Sequence, residues 1–142
     1  MEEGSIVRWE TPFVSAGDYG VRHLADPIRH DVVHVVVDTT GPERYPKHIV
    51  TFDPVIGLRT TDETYDVRTL PFARDAESAR SHEWLESAWK RSVSEGLAEA
   101  HFGKPLRHFV IYGAEMGIEV LTVNEPEIEP VYGPRILWLH AV

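Results

Sequence analysis

The chain has 142 residues, 42% apolar and 26% charged. That suits one domain, 1–142, with its own core, and excludes disordered, collagen-like and coiled-coil architectures. Fourteen Lys and Arg against 23 Asp and Glu give a net charge of -9, a field that repels phosphate backbones and anionic lipid, so neither nucleic acid nor a membrane is an expected partner. Cysteine is absent, which removes disulfides, thiolate nucleophiles and zinc-thiolate sites.

The start, Met1-Glu2-Glu3-Gly4-Ser5, carries acids where a secretory signal has a basic region, so the expected compartment is the cytoplasm. Short strands are expected first, over Ile6 to Trp9, Phe13 to Val14 and Val21 to Leu24, with Gly17-Asp18-Tyr19-Gly20 supplying turn chemistry. Asp31 to Asp38 (DVVHVVVD) is the strongest strand. Its β-branched residues suit a pleated sheet and are apolar on both faces, which predicts a central position. Even its longest apolar stretch, Val32 to Val37 broken by His34, falls far short of a membrane span.

Thr39-Thr40-Gly41-Pro42 ends that strand, and Lys47 to Phe52 returns antiparallel. Asp53-Pro54 interrupts it and Val55 to Thr60 resumes, which predicts a bulge within one strand. Tyr65 to Ala76 reads as loop. Ser78 to Ala100 carries the helical pattern: Trp84, Leu85, Ala88, Trp89, Val93 and Leu97 recur every three to four residues, and Gly103 with Lys104-Pro105 stops it. His108 to Tyr112 and Gly117 to Val123 form a hairpin, Asn124 to Pro130 is extended, and Ile136 to His140 is a last strand. The expected class is α+β, a mainly antiparallel sheet with one principal helix packed across it.

Chemical signatures are sparse. No phosphate loop, dinucleotide fingerprint or nucleophile elbow is present. His82-Glu83-Trp84-Leu85-Glu86 begins like a zincin helix but has Glu86 where the second His belongs, and reads as an acidic first helical turn. His30 and His34, on one strand, would stand about 13 Å apart, too far to share a metal. Asp62, Glu63 and Asp66 lack the spacing and glycine of a calcium loop. Neither a cofactor nor a metal is expected.

The outstanding feature is Glu115 to Glu129, with five glutamates and no basic residue between His108 and Arg135. Glu125, Glu127 and Glu129 alternate with Pro126, Ile128 and Pro130, and in an extended chain alternate side chains face one way. Charge and proline on an exposed edge explain the pattern without any partner. The functional alternative is a rigid strip, aided by Glu115 and Glu119, that docks a basic protein.

Three segments together carry a resemblance: Val50 to Glu63 (VTFDPVIGLRTTDE), the tryptophan-bearing stretch around Glu83-Trp84-Leu85, and Leu106 to Val131 (LRHFVIYGAEMGIEVLTVNEPEIEPV). Their order resembles small bacterial α+β domains similar to immunity-type proteins encoded near secreted toxins. The 11 Arg against 3 Lys suit a high-GC bacterial source. The resemblance implies a cytoplasmic, non-catalytic domain that neutralises a toxin by binding it, and it assigns no catalytic residue. The alternatives are a small hydrolase using dispersed His34, Asp38, His48 and His108, or a structural homodimer joined through an edge strand.

Overall fold

The computed structural model describes residues 6–15, 20–38, 46–62, 81–94, 97–113 and 116–132. The expected loop at Tyr65 to Ala76, the strand at Ile136 to His140, and Glu63, Asp66 and Glu115 lie outside them. Within the described residues nine strands form two antiparallel sheets. One sheet has the order β1 (Ile6–Arg8), β6 (Ser81–Trp84), β7 (Arg107–Tyr112), β8 (Met116–Thr122), β5 (Gly57–Asp62). The other has the order β2 (Gly20–Ala25), β3 (Val33–Asp38), β4 (Lys47–Phe52), β9 (Glu127–Val131).

Each sheet has one strongly apolar face, and the two faces meet. Val33, Val35 and Val37 of β3, with Val50 and Phe52 of β4, form one core with Phe109 and Ile111 of β7 and Ile118 and Val120 of β8. The rings of Phe52 and Phe109 touch across the sheets at 6.1 Å between centroids, and Trp9 closes on Phe109 at 4.7 Å. The expected central strand is confirmed, since β3 lies between β2 and β4 and is buried on both faces. So is the β7–β8 hairpin, in which Phe109 faces Val120 and Ile111 faces Ile118.

Two expectations are corrected. The α+β class with a principal helix is replaced by a two-sheet, mainly β architecture. The Ser78 to Ala100 pattern instead spans strand β6 and two short helices, α1 (Ala88–Ser94) and α2 (Leu97–Phe102). Trp84 belongs to β6, where it lies opposite Ile6 and packs against Val110, while Trp89 belongs to α1. Four residues cannot separate a helical period from an alternating one, and pairing with β1 and β7, remote in sequence, decides for the strand. Gly103, at φ +68°, does end the helical stretch, since a left-handed residue just past a helix favours glycine.

The expected bulge at Asp53-Pro54 is also corrected. The chain leaves one sheet there: β4 ends at Phe52, the Asp53-Pro54 peptide is cis, and β5 begins at Gly57 in the other sheet. The return crossing, from β8 to β9, passes Asn124. Its side-chain amide donates to the Asp53 carbonyl at 2.8 Å, and its Oδ1 accepts from the Lys104 ammonium at 2.7 Å. One asparagine thus joins the two crossings.

Phe109 is 1% exposed whereas Ile28 is 90% exposed. We predict that Phe109→Ala lowers the unfolding free energy by about 3–5 kcal/mol. Ile28→Ala should change it by less than about 0.5 kcal/mol, both read from urea denaturation.

Candidate functional site

Of the five glutamates singled out in the sequence, the four that lie among the described residues are divided by the fold. Glu127 and Glu129 lie opposite Thr51 and Ile49 on β4, so both side chains leave the same face of β9. Both are exposed, and among the described residues no cation pairs with either. Ile128 turns to the opposite face and packs against the core. Glu125, just before the strand, is drawn to the other sheet, where its carboxylate accepts from Arg107 at 2.8 Å. The same guanidinium donates twice to Glu83, at 2.8 Å each. The Glu83 and Glu125 hydrogen bonds outweigh desolvation and raise the Arg107 pKa.

Glu119 departs furthest from the docking strip. It is 5% exposed, on β8 of the other sheet, and its carboxylate accepts from Arg59 at 3.1 and 3.0 Å and from His108 Nε2 at 2.7 Å. Burial alone would raise its pKa, but the hydrogen bonds from His108 and Arg59 outweigh burial and hold it below the usual carboxylate range. The other His108 nitrogen, Nδ1, lies 2.7 Å from the Ser87 hydroxyl. Ser87 is the N-cap of α1: its oxygen accepts from the Lys90 amide at 3.0 Å. With Nε2–H directed at the carboxylate, the second ring nitrogen ties the imidazole to the Ser87 hydroxyl, so both nitrogens have a partner.

This Ser87–His108–Glu119 chain has the residue types of a hydrolytic triad and the opposite surroundings. Ser87 is 2% exposed and His108 0%. Trp84 stacks on the imidazole at 5.3 Å and Trp89 meets it edge-on at 5.2 Å, while Arg59 covers the Trp89 ring at 4.3 Å. A Cβ on Gly57 would stand 2.9 Å from Cζ2 of Trp89, so the close seat of that ring needs a glycine beneath it. The hydroxyl serves as a helix cap under two indoles, and the network fastens α1 to the sheet. No local motif links these residues. The one available signal was Glu119 itself, an acid in the middle of an otherwise apolar strand.

The remaining candidates do not converge. His34 is held on the outward face of β3, with Nε2 2.7 Å from Asp26 and Nδ1 2.9 Å from the Thr51 hydroxyl. Asp26 also accepts from the Arg29 and Ile28 amides, and these bonds, Arg29's first, lower its pKa to about 2. Asp38 pairs with Lys47 at 2.9 Å. His48 points to the inner face, its ring 6.0 Å from Phe13, and burial lowers its pKa. His108 belongs to the other sheet, so His34, Asp38, His48 and His108 occupy separate places. His82 lies in β6 rather than at a helix start, and its neighbour Glu83 is committed to Arg107. Among the described residues no three His, Asp or Glu side chains are grouped to hold a metal, and no helix is long and apolar enough to cross a membrane.

Compared with known proteins, the chain matches no protein family, no curated protein and no solved structure.

The Glu119 network predicts a sharp asymmetry between acids. Glu119→Gln leaves Arg59, itself partly open to solvent, beside a neutral group and should cost about 1–3 kcal/mol of stability. Glu127→Gln should stay within about 0.5 kcal/mol of the parent in the same urea denaturation series.

Proposed function

We propose that this chain is a non-catalytic binding domain that docks a basic protein along the β9 edge, in the manner of an immunity-type protein capping a toxin, and that it acts in the cytoplasm. The observation that carries the reading is the pair Glu127 and Glu129: exposed, on one face of one strand, and without a cationic partner among the described residues. Two residues of extended chain separate them by about 6.8 Å, a spacing that lysines or arginines on a partner surface match.

The chemistry of the edge argues for side-chain docking over strand addition. Pro130 has no N–H to give to an incoming strand, and charged side chains discourage edge pairing. A net charge of -9 draws a basic protein from a distance, and exposed rim charges govern the association rate and its salt dependence. Glu125 is tied to Arg107 and adds less, and Glu119 takes part only as an internal strut. Among the described residues the docking set therefore reduces to Glu127 and Glu129.

The test is capture from the cells that make the protein, with wild type, a Glu127→Lys/Glu129→Lys double variant and an exposed control, Glu86→Lys. Wild type and the control should retain one stoichiometric basic protein at about 0.05 M salt and release it at about 0.5 M. The double variant should bind it at least about tenfold more weakly. Equal retention on the double variant, or the absence of any basic protein, would overturn the assignment.

A further inference from the structure

Ile28, at the tip of the loop between β2 and β3, is 90% exposed, and Pro27 and His30 near it are exposed as well. Isolated apolar residues are ordinary on protein surfaces. What sets this one apart is how its backbone is held. Asp26 Oδ2 accepts from the Ile28 and Arg29 amides at 3.0 and 2.8 Å. The Asp26 amide donates to the Val32 carbonyl at 3.1 Å, closing the base of the loop, and the Val32 amide donates to the Arg29 carbonyl at 3.3 Å within it. The Arg29 guanidinium forks onto Asp53 at 2.9 and 3.0 Å, which ties the loop to the crossing where the chain changes sheets.

We propose that Ile28 is the apolar anchor that holds the basic protein of the docking reading, seated in an apolar pocket with a cationic rim on that protein; the inference rests on that reading. Position supports a shared partner. Leu24, His34, Thr51 and Glu127 lie abreast across β2, β3, β4 and β9, and Asp26 of the loop bonds His34. The tip therefore stands at the Glu127 end of the sheet, two to three strand spacings or about 10–15 Å away. An ordinary interface covers about 800 Å² of each partner, enough to include both.

Charge points the same way. Asp26, Asp31 and Asp53 surround the tip, and Arg29, the cation among them, already serves Asp31 and Asp53. These acids extend the negative edge of Glu127 and Glu129 and favour a cationic rim around the pocket that takes the isoleucine.

The two contacts contribute differently. Exposed glutamates speed association and lose force as salt rises, whereas an apolar side chain that fills a pocket slows release and is not screened. The isoleucine is restricted at χ1 and its loop is already fixed, so little ordering is left to oppose binding.

The probe is the basic protein that wild type retains, purified and passed over immobilised wild type, Ile28→Val, Ile28→Ala and the Glu127→Lys/Glu129→Lys variant at about 0.05 and 0.15 M salt. Ile28→Ala should bind about tenfold more weakly at both salt concentrations, through faster dissociation at an unchanged association rate, with Ile28→Val between it and wild type. The charge variant should instead lose association rate, by a factor that shrinks as salt rises. Urea denaturation of Ile28→Ala, expected to match wild type, separates binding from folding. Wild-type affinity in Ile28→Ala beside weakened binding in the charge variant would overturn the anchor and leave the docking reading standing, while no basic protein on wild type would overturn both. A wild-type dimer that Ile28→Ala dissociates in sedimentation would give the tip to a second copy of the chain and overturn the proposal too.

Discussion

Two apolar sheet faces must be buried, and here each buries the other. Because side chains alternate along a strand, that one contact decides the orientation of every second residue in both sheets. Val33, Val35 and Val37 turn inward to meet Phe109, Ile111, Ile118 and Val120. His34, Val36 and Asp38 are thereby turned outward on the same strand. The placement of nearly every charged group discussed above follows from this.

The outward faces are treated differently. In the sheet that holds β7 and β8, Glu119, His108 and Ser87 are enclosed and satisfy one another, with half-buried Arg59 closing on Glu119 from over Trp89, and the cap of α1 is part of the same hydrogen-bonded chain. Such a network is tolerable in a dry setting only because its members are paired, and loss of one member leaves another stranded. On the β2–β9 side the charges stay nearer water. Asp26 with His34 and Asp38 with Lys47 form separate pairs, and Glu127 and Glu129 stand open at the edge. An acid's availability for a partner thus depends on its sheet and register rather than on its place in a glutamate-rich stretch.

Alternation along individual strands was readable from the residues alone, which is why β3 and the β7–β8 hairpin were anticipated. What needed the third dimension was membership. Nothing local in Phe52-Asp53-Pro54 distinguishes a kinked strand from a chain changing sheets. The spacing of Trp84, Leu85, Ala88 and Trp89 fits a helix as well as a strand followed by a helix, until β1 and β7 supply hydrogen-bonding partners for β6. Glu119 was grouped with the strip by proximity in sequence, although an acid flanked by Ile118 and Val120 already signalled a buried ion needing a cation. The cation, Arg59, stands opposite it on β5, a pairing that only the fold supplies.

The central claim is that the acids are partitioned, with Glu119 locked inside a paired network and the β9 glutamates facing outward. A ¹³C titration of the side-chain carboxyls, resolved residue by residue, tests this most directly. Glu119 should titrate below the ordinary glutamate midpoint of about 4.3. A carboxyl lowered in the fold contributes stability above its unfolded midpoint and loses it as pH falls through the folded one, so unfolding measured over the same range should weaken across that acid window. A Glu119 midpoint at or above 4.3 would show an unpaired or solvent-facing carboxylate and contradict the partition.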